Sequence, residues 1–227
     1  MKVFNRVYLA ALLAGGIAGL LLAGIQQFTI VPMILEAETY EIPGGAGHHA
    51  IVDEQGGEEV WAPEDGAERT FYTVMNSVIV AIGFGLLLTA CYALRRSITW
   101  RNGIWWGLAG FAAFHLAPAL GLPPELPGDI AADVGVRQVW WLLTAIFTAV
   151  GLSIIVFQPV NYKKLLGVVF IVIPHILGAP QPEVHGGLAP ADLRSAFILT
   201  SLVTNAVFWI VLGTLSAYFF NRIGERA

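Results

Sequence analysis

Charge is scarce in this sequence. Of its 227 residues only 12% are charged, against roughly 25% in ordinary soluble domains, while 56% are hydrophobic and the mean hydropathy is +0.70. A soluble globule spreads charge over every exposed face, but here long stretches carry none and the charges cluster between them. That pattern excludes a soluble fold and predicts an all-α polytopic membrane protein, with residues 1–227 as a single transmembrane domain. Cysteine is almost missing too. Cys91 stands alone inside an apolar run, which excludes an intramolecular disulfide and a CxxC metal site. No basic patch offers itself to nucleic acid. There is no P-loop, HExxH, GxSxG or charged dyad, so acid–base catalysis and ATP hydrolysis have no place to occur, and the chain is not expected to be an enzyme.

What is present is apolar length. The first run, Val7 to Leu35, follows Lys2 and Arg6 and is interrupted only by Gln26, Gln27, Thr29 and Pro32. It is about twice the 7 to 15 residues of a signal-peptide core, so a retained first span is expected. Five further runs follow at about 70–94, 103–122, 138–157, 165–179 and 195–220. The fifth, at 15 residues, reaches only about 22 Å as a helix against a hydrocarbon core of about 30 Å. Six transmembrane helices are therefore expected, with five crossings and one re-entrant segment as the alternative.

Basic residues favour six. With the N-terminus inside, nine of the twelve lysines and arginines fall on the cytoplasmic side, and only Arg69, Arg137 and Arg194 fall outside. Five crossings would carry Arg222 and Arg226 to the wrong face. Both termini are accordingly expected on the cytoplasmic side of the membrane. Trp100, Trp105 and Trp106, with Trp140 and Trp141, read as interfacial anchors. Ala10, Ala14 and Ala18 form one small-residue stripe on the first helix and Gly15 and Gly19 another, and Gly103 and Gly107 do the same on the third, so close helix packing is expected there.

The chain also repeats a pattern. Three helical hairpins each carry a polar residue near the outer end of the inbound helix, then a proline, then a glutamate: Gln27, Pro32 and Glu36; His115, Pro118 and Glu125; His175, Pro180 and Glu183. Each return helix opens with an acid and an arginine, read as structural ion pairs: Asp65 and Arg69, Asp133 and Arg137, Asp192 and Arg194. Seven residues beyond each arginine stands Asn76, Thr144 or Ser201. A pseudo-threefold arrangement of hairpins would bring Gln27, His115 and His175 to a similar depth.

Polar side chains inside a span are costly and usually face a bundle interior or a wet cavity. Neutral imidazole suits divalent cobalt, nickel, copper or zinc, and carboxylates can complete such a site. His115 and His175, with Gln27, are thus candidate metal ligands, and Glu36, Glu125 and Glu183 candidate carboxylates at the mouth. The acidic outer loop, 36–69, holds ten acids and the pair His48 and His49, a second place for capturing cations. Two other readings of the same residues stay open. The histidines could be axial ligands of a haem in an electron-transfer subunit, or they could serve packing only, in a scaffold subunit of a larger assembly.

The segments LEAETYE (35–41), WAPEDGAER (61–69), WGLAGFAAFHLAPALGLPPELPG (106–128), RQVWW (137–141) and HILGAPQPEVHG (175–186) resemble the probable cobalt transporter subunit CbtA family over nearly the whole chain. The resemblance implies a bacterial inner-membrane subunit in cobalt uptake associated with cobalamin synthesis. It also implies a small single-span partner, CbtB, whose tail carries histidines, and five spans where the apolar runs count six. The transported ion is then divalent cobalt, with nickel or zinc chemically similar, and no cofactor is expected to be tightly bound. Membrane lipid is the other expected neighbour, and a homo-oligomer stays open.

Overall fold

The computed structural model describes residues 2–41, 63–64, 66–95, 98–184 and 186–225. Among them lie six principal helices: α1 (Lys2–Glu41), α2 (Ala67–Ala93), α3 (Trp100–Phe111), α4 (Val134–Phe157), α5 (Lys164–Leu177) and α6 (Ala191–Glu225). α3 continues through a π-helical turn, Ala112–Leu116, and a last α turn, Ala117–Ala119. The all-α membrane architecture expected from composition is what is found, with a helix on each apolar run. Four helices, α1, α2, α4 and α6, are individually long and apolar enough to cross a membrane. α5 has 14 residues, a rise of about 21 Å.

Helix ends are set by local chemistry. Thr99 caps α3 with a reciprocal capping box to Asn102, and the Asp133 carboxylate caps α4 by accepting from the Val136 N–H at 3.1 Å. α1 runs on past its apolar stretch to Glu41, because Leu-Glu-Ala-Glu are good helix formers. The acidic loop therefore begins later than residue 36 and ends before Ala67, where α2 starts.

The chain passes back and forth six times between two ends. At one end the Arg6 guanidinium donates to the Phe220 carbonyl, Asn221 donates to the Ile98 carbonyl, and Arg95 lies over the Phe157 ring. This terminal end gathers the start of α1, the end of α6 and the α2–α3 and α4–α5 connections. The opposite end, the turn end, holds the Pro-rich α3–α4 and α5–α6 turns. There the Ile130 N–H meets the Gly186 carbonyl at 3.0 Å and the Leu188 N–H meets the Gly128 carbonyl at 3.4 Å.

Packing does not follow a threefold plan. α6 is the hub, laid against α1, α2 and α3, whereas α5 packs on α4 and has no substantial interface with its own partner in the third hairpin. The cause is in the small residues. A Cβ on Gly15 or Gly19 would meet the α2 backbone at 2.5 and 2.6 Å, and one on Gly103 or Gly107 would meet carbonyl oxygens of α6 at 2.4 and 2.1 Å. These glycines let backbones touch, as their spacing predicted, and in lipid such van der Waals contact is what drives helices together. Ala10, Ala14 and Ala18 are fully buried in the same core, with Tyr92, Phe208, Trp209 and Leu212. A second, smaller core at the turn end joins Ile30 and Ala37 of α1 to Leu126, Ala189 and Phe197.

Candidate metal-binding residues

All three arginines of the turn end hold carboxylates, and for Arg137 and Arg194 these are not the acids beside them in sequence. Arg69 pairs with Glu38 at 2.5 Å, Arg137 with Glu125, and Arg194 with Asp129 at 2.8 Å. Asp133 is instead a helix cap, and Asp192 lies exposed in the first turn of α6. Asp65 lies outside the described residues. Proximity along a helix misleads here because residues two or four apart at a helix start compete with capping, while the acids on the preceding turn face the arginine directly. The first two pairs close their own hairpins. The third crosses from α6 to the α3–α4 turn, so it locks two turns together.

That lock is tightly built. The Asp129 side chain is 6% exposed and also accepts from the Leu126 N–H at 2.9 Å. Opposite it, a Cβ on Gly187 would fall 1.9 Å from Asp129 Oδ1 and 2.4 Å from Arg194 Nη2. Gly128, at φ +77°, supplies the left-handed residue the turn needs.

His115 sits in the π turn, and Pro118 explains the turn. A proline has no N–H for the Phe114 carbonyl and its ring crowds that oxygen. The helix widens, so that the Ala117 N–H reaches back five residues to the Ala112 carbonyl. His115 then meets Trp209 of α6, whose Nε1–H donates to His115 Nδ1 at 3.0 Å. Indole can only donate, so Nδ1 is the acceptor and the neutral ring carries its proton on Nε2. In this conformation His115 offers no lone pair to a metal or to a haem iron. Trp209 is fully buried, in a slot that Gly107 and Gly110 leave open.

His175 is differently placed. It follows Pro174 on α5 and packs edge-on against Trp140 of α4, with ring centroids 5.9 Å apart, while Trp140 Nε1–H donates to the Pro174 carbonyl at 3.3 Å. Its Nε2 is buried without a hydrogen-bond partner. So are the hydroxyls of Thr144 and Thr148, one and two helical turns beyond Trp140 on the same stripe of α4. Elsewhere in this chain helical threonines return their hydroxyl to the carbonyl four residues back, as Thr29, Thr73, Thr89 and Thr214 do. Beyond Arg137 Nε at the start of α4, the α4–α5 pair thus carries three unpartnered buried polar atoms among the described residues. Imidazole nitrogen and hydroxyl oxygen can both coordinate a divalent ion.

The remaining candidates are dispersed. Gln27 is exposed on the flank of α1, and it is the neighbouring Gln26 that accepts from Ser77 at 3.4 Å. Glu36 and Glu183 are exposed at the turn end, and Glu125 is occupied by Arg137. His48 and His49 lie outside the described residues. His115 and His175 belong to different helix interfaces, α3–α6 and α4–α5. Among the described residues no three histidine, cysteine or carboxylate side chains gather closely enough to hold an ion.

The family model of a probable cobalt transporter subunit (CbtA) matches residues 4–221. The chain belongs to the CbtA family. No curated protein and no solved structure matches it. A CbtA-family chain is one subunit of a transporter rather than a member of an enzyme class, which agrees with a bundle of long apolar helices and implies a partner. Several residues that matter in this CbtA-family chain are not marked by sequence pattern. Asp129 carries a weak signal, since a Pro-Gly-Asp turn faces His-Gly-Gly in the matching hairpin. Trp209 has none beyond its burial, and Trp140, which reads as an interfacial anchor, is 8% exposed and points inward.

Proposed function

We propose that this chain is the membrane-embedded subunit of a divalent cobalt uptake system. The match to the transporter family over residues 4–221 carries the reading. Six antiparallel passes, with both termini at one end, support six membrane crossings with α5 as a short span. The terminal end then faces the cytoplasm of a bacterial inner membrane, as the basic residues there require, and the turn end faces outward. Glu36 and Glu183, exposed at the turn end, would collect the ion, with Glu125 contributing only by leaving Arg137. His175 would receive the ion on the α4–α5 pair, helped by Thr144 and Thr148. His115 can join only when Trp209 releases Nδ1, and Gln27 would have to turn in from the flank. A small single-span CbtB-type partner with a histidine-bearing tail would complete the system, whose place is in supplying cobalt for cobalamin synthesis.

Radioactive cobalt uptake, normalised to folded protein, separates the two histidines. His175→Ala is expected to lose most of its uptake per molecule. His115→Ala should lower the amount of folded protein while sparing uptake per molecule, because the lost partner leaves the Trp209 N–H buried and unpaired. Unchanged uptake in His175→Ala would reject the site. Orientation is tested with single cysteines in a Cys91→Ser background. Residue 128 should label from outside and residue 161 only from inside, and the reverse would overturn the topology.

A further inference from the structure

The terminal end holds a cavity of about 410 Å³ lined by two arginines that no carboxylate neutralises among the described residues. Arg6 lies on the face of the Phe220 ring, 3.7 Å from its centroid, and Arg95 on the Phe157 ring at 3.5 Å. Stacking fixes each guanidinium flat and leaves its N–H edge free to bond. Arg6 spends one N–H on the Phe220 carbonyl and one on Asn221 Oδ1, at 3.5 Å, and Asn221 is itself pinned to the Ile98 carbonyl. Arg95 donates none of its side-chain N–H groups to the protein among the described residues, although it lies on the cavity wall.

The seat of Arg6 is shaped for it. A Cβ on Gly224 would fall 2.3 Å from the Arg6 guanidinium carbon, so glycine there is what lets the side chain lie across α6. The one acid that lines the cavity among the described residues, Glu225, is exposed and lies 3.7 Å from Arg222, a surface pair of little strength, and it makes no ion pair with Arg6 or Arg95. Two stacked guanidinium groups on one open, polar cavity, neither of them ion-paired among the described residues, match a tetrahedral oxyanion, which takes paired N–H donors from several directions.

We propose that the cavity bounded by Arg6, Arg95 and Asn221 is a binding site for a phosphate group. Two sources share that chemistry: the headgroup of an anionic phospholipid, reached from the membrane edge, and a soluble phosphate from the aqueous side. Basic pockets between helices at the membrane surface are suited to the former. The site lies at the opposite end of the bundle from the metal-collecting residues and does not rest on the metal reading.

Native mass spectrometry of the full chain in detergent, titrated with phosphatidylglycerol and separately with inorganic phosphate, tests it. One saturable phosphatidylglycerol site is expected, weakened about tenfold in Arg95→Gln. Arg222→Gln, which removes the same charge from the same end but outside the cavity, should leave binding unchanged. Arg95→Gln should lower the melting temperature only slightly, since that exposed side chain makes no protein hydrogen bond among the described residues and gives up only its stack on Phe157, whereas Gly224→Ala should weaken binding by displacing Arg6. Competition by inorganic phosphate would assign the site to soluble phosphate, and its absence to the lipid. Equal affinity in wild type and Arg95→Gln, or an equal loss in Arg222→Gln, would overturn the proposal.

Discussion

The α1–α2–α3–α6 core and the α4–α5 pair are both built on glycines that let backbones touch, yet they treat buried polar atoms in opposite ways. In the core, the Thr89 hydroxyl bonds the Gly85 carbonyl, Tyr92 donates to the Gly213 carbonyl at 3.2 Å, and Trp209 donates to His115. Among the described residues only the Ser216 hydroxyl is left without a partner there. In the smaller α4–α5 pair, Thr144, Thr148 and His175 all lack one. A buried polar atom without a bond costs about 1 to 3 kcal/mol, and a helix pair of this size has little packing with which to offset three. The difference separates a region whose buried polar groups are nearly all satisfied by the protein from one whose polar groups are not.

The strongest test of the core is Gly107→Ala. Its Cβ would lie 2.1 Å from the Trp209 backbone oxygen, and a backbone cannot step aside as a side chain can. Forcing α3 away from α6 also breaks the Trp209–His115 bond, so a loss of about 3 kcal/mol is expected, read as a collapse of the melting temperature in detergent. Gly16→Ala, with nothing within 4 Å, should change little. Equal behaviour of the two would mean that glycine contact does not define the core.

Asp129→Asn comes next. It leaves the Leu126 N–H an acceptor but removes the charge that Arg194 faces, in a pair whose arginine is only 28% exposed. About 2 kcal/mol is expected, while Asp192→Asn, exposed on the same helix as Arg194, should cost almost nothing. A loss in Asp192→Asn as large as that in Asp129→Asn would return Arg194 to its sequence neighbour.

What is legible in the sequence follows from what is periodic. Apolar runs and small-residue stripes recur along one helix, so the six helices, the Gly15 and Gly19 contact and the Gly103 and Gly107 contact can all be read from residue order alone. The hairpin pattern suggests a threefold bundle, and it fails because which helices pair is decided by the fit of glycines to partner backbones, a relation between distant segments. The pairs expected for Arg137 and Arg194 fail in the same way. Asp133 and Arg137 are one helical turn apart, yet the carboxylate is drawn to unpaired N–H groups of its own helix start and the arginine to Glu125 across the turn. The contrast between His115 and His175 is hidden for a further reason. Both sit near prolines in similar words of sequence, HLAP and HILGAP, and only the arrival of Trp209 from residues far along the chain satisfies one and leaves the other bare.

The smallest expected effect on stability is the most telling for function. Thr144→Val replaces a hydroxyl that has no partner by a methyl group of nearly the same shape, in a side chain that is fully buried. A threonine satisfied by the protein, such as Thr89, should lose about 1 kcal/mol on the same change. Thr144→Val should instead leave the melting temperature unchanged or raise it slightly, since an unpaired hydroxyl contributes only its desolvation cost. If the α4–α5 pair serves the ion, cobalt uptake per folded molecule should fall in Thr144→Val even as the protein grows no less stable, and Thr148→Val should behave alike. A variant that loses stability as Thr89→Val does would show that the hydroxyl is already bonded, closing the distinction between the two regions from the structural side. A variant that keeps both its stability and its uptake would close it from the functional side, leaving His175 as the sole polar group of that interface with work to do.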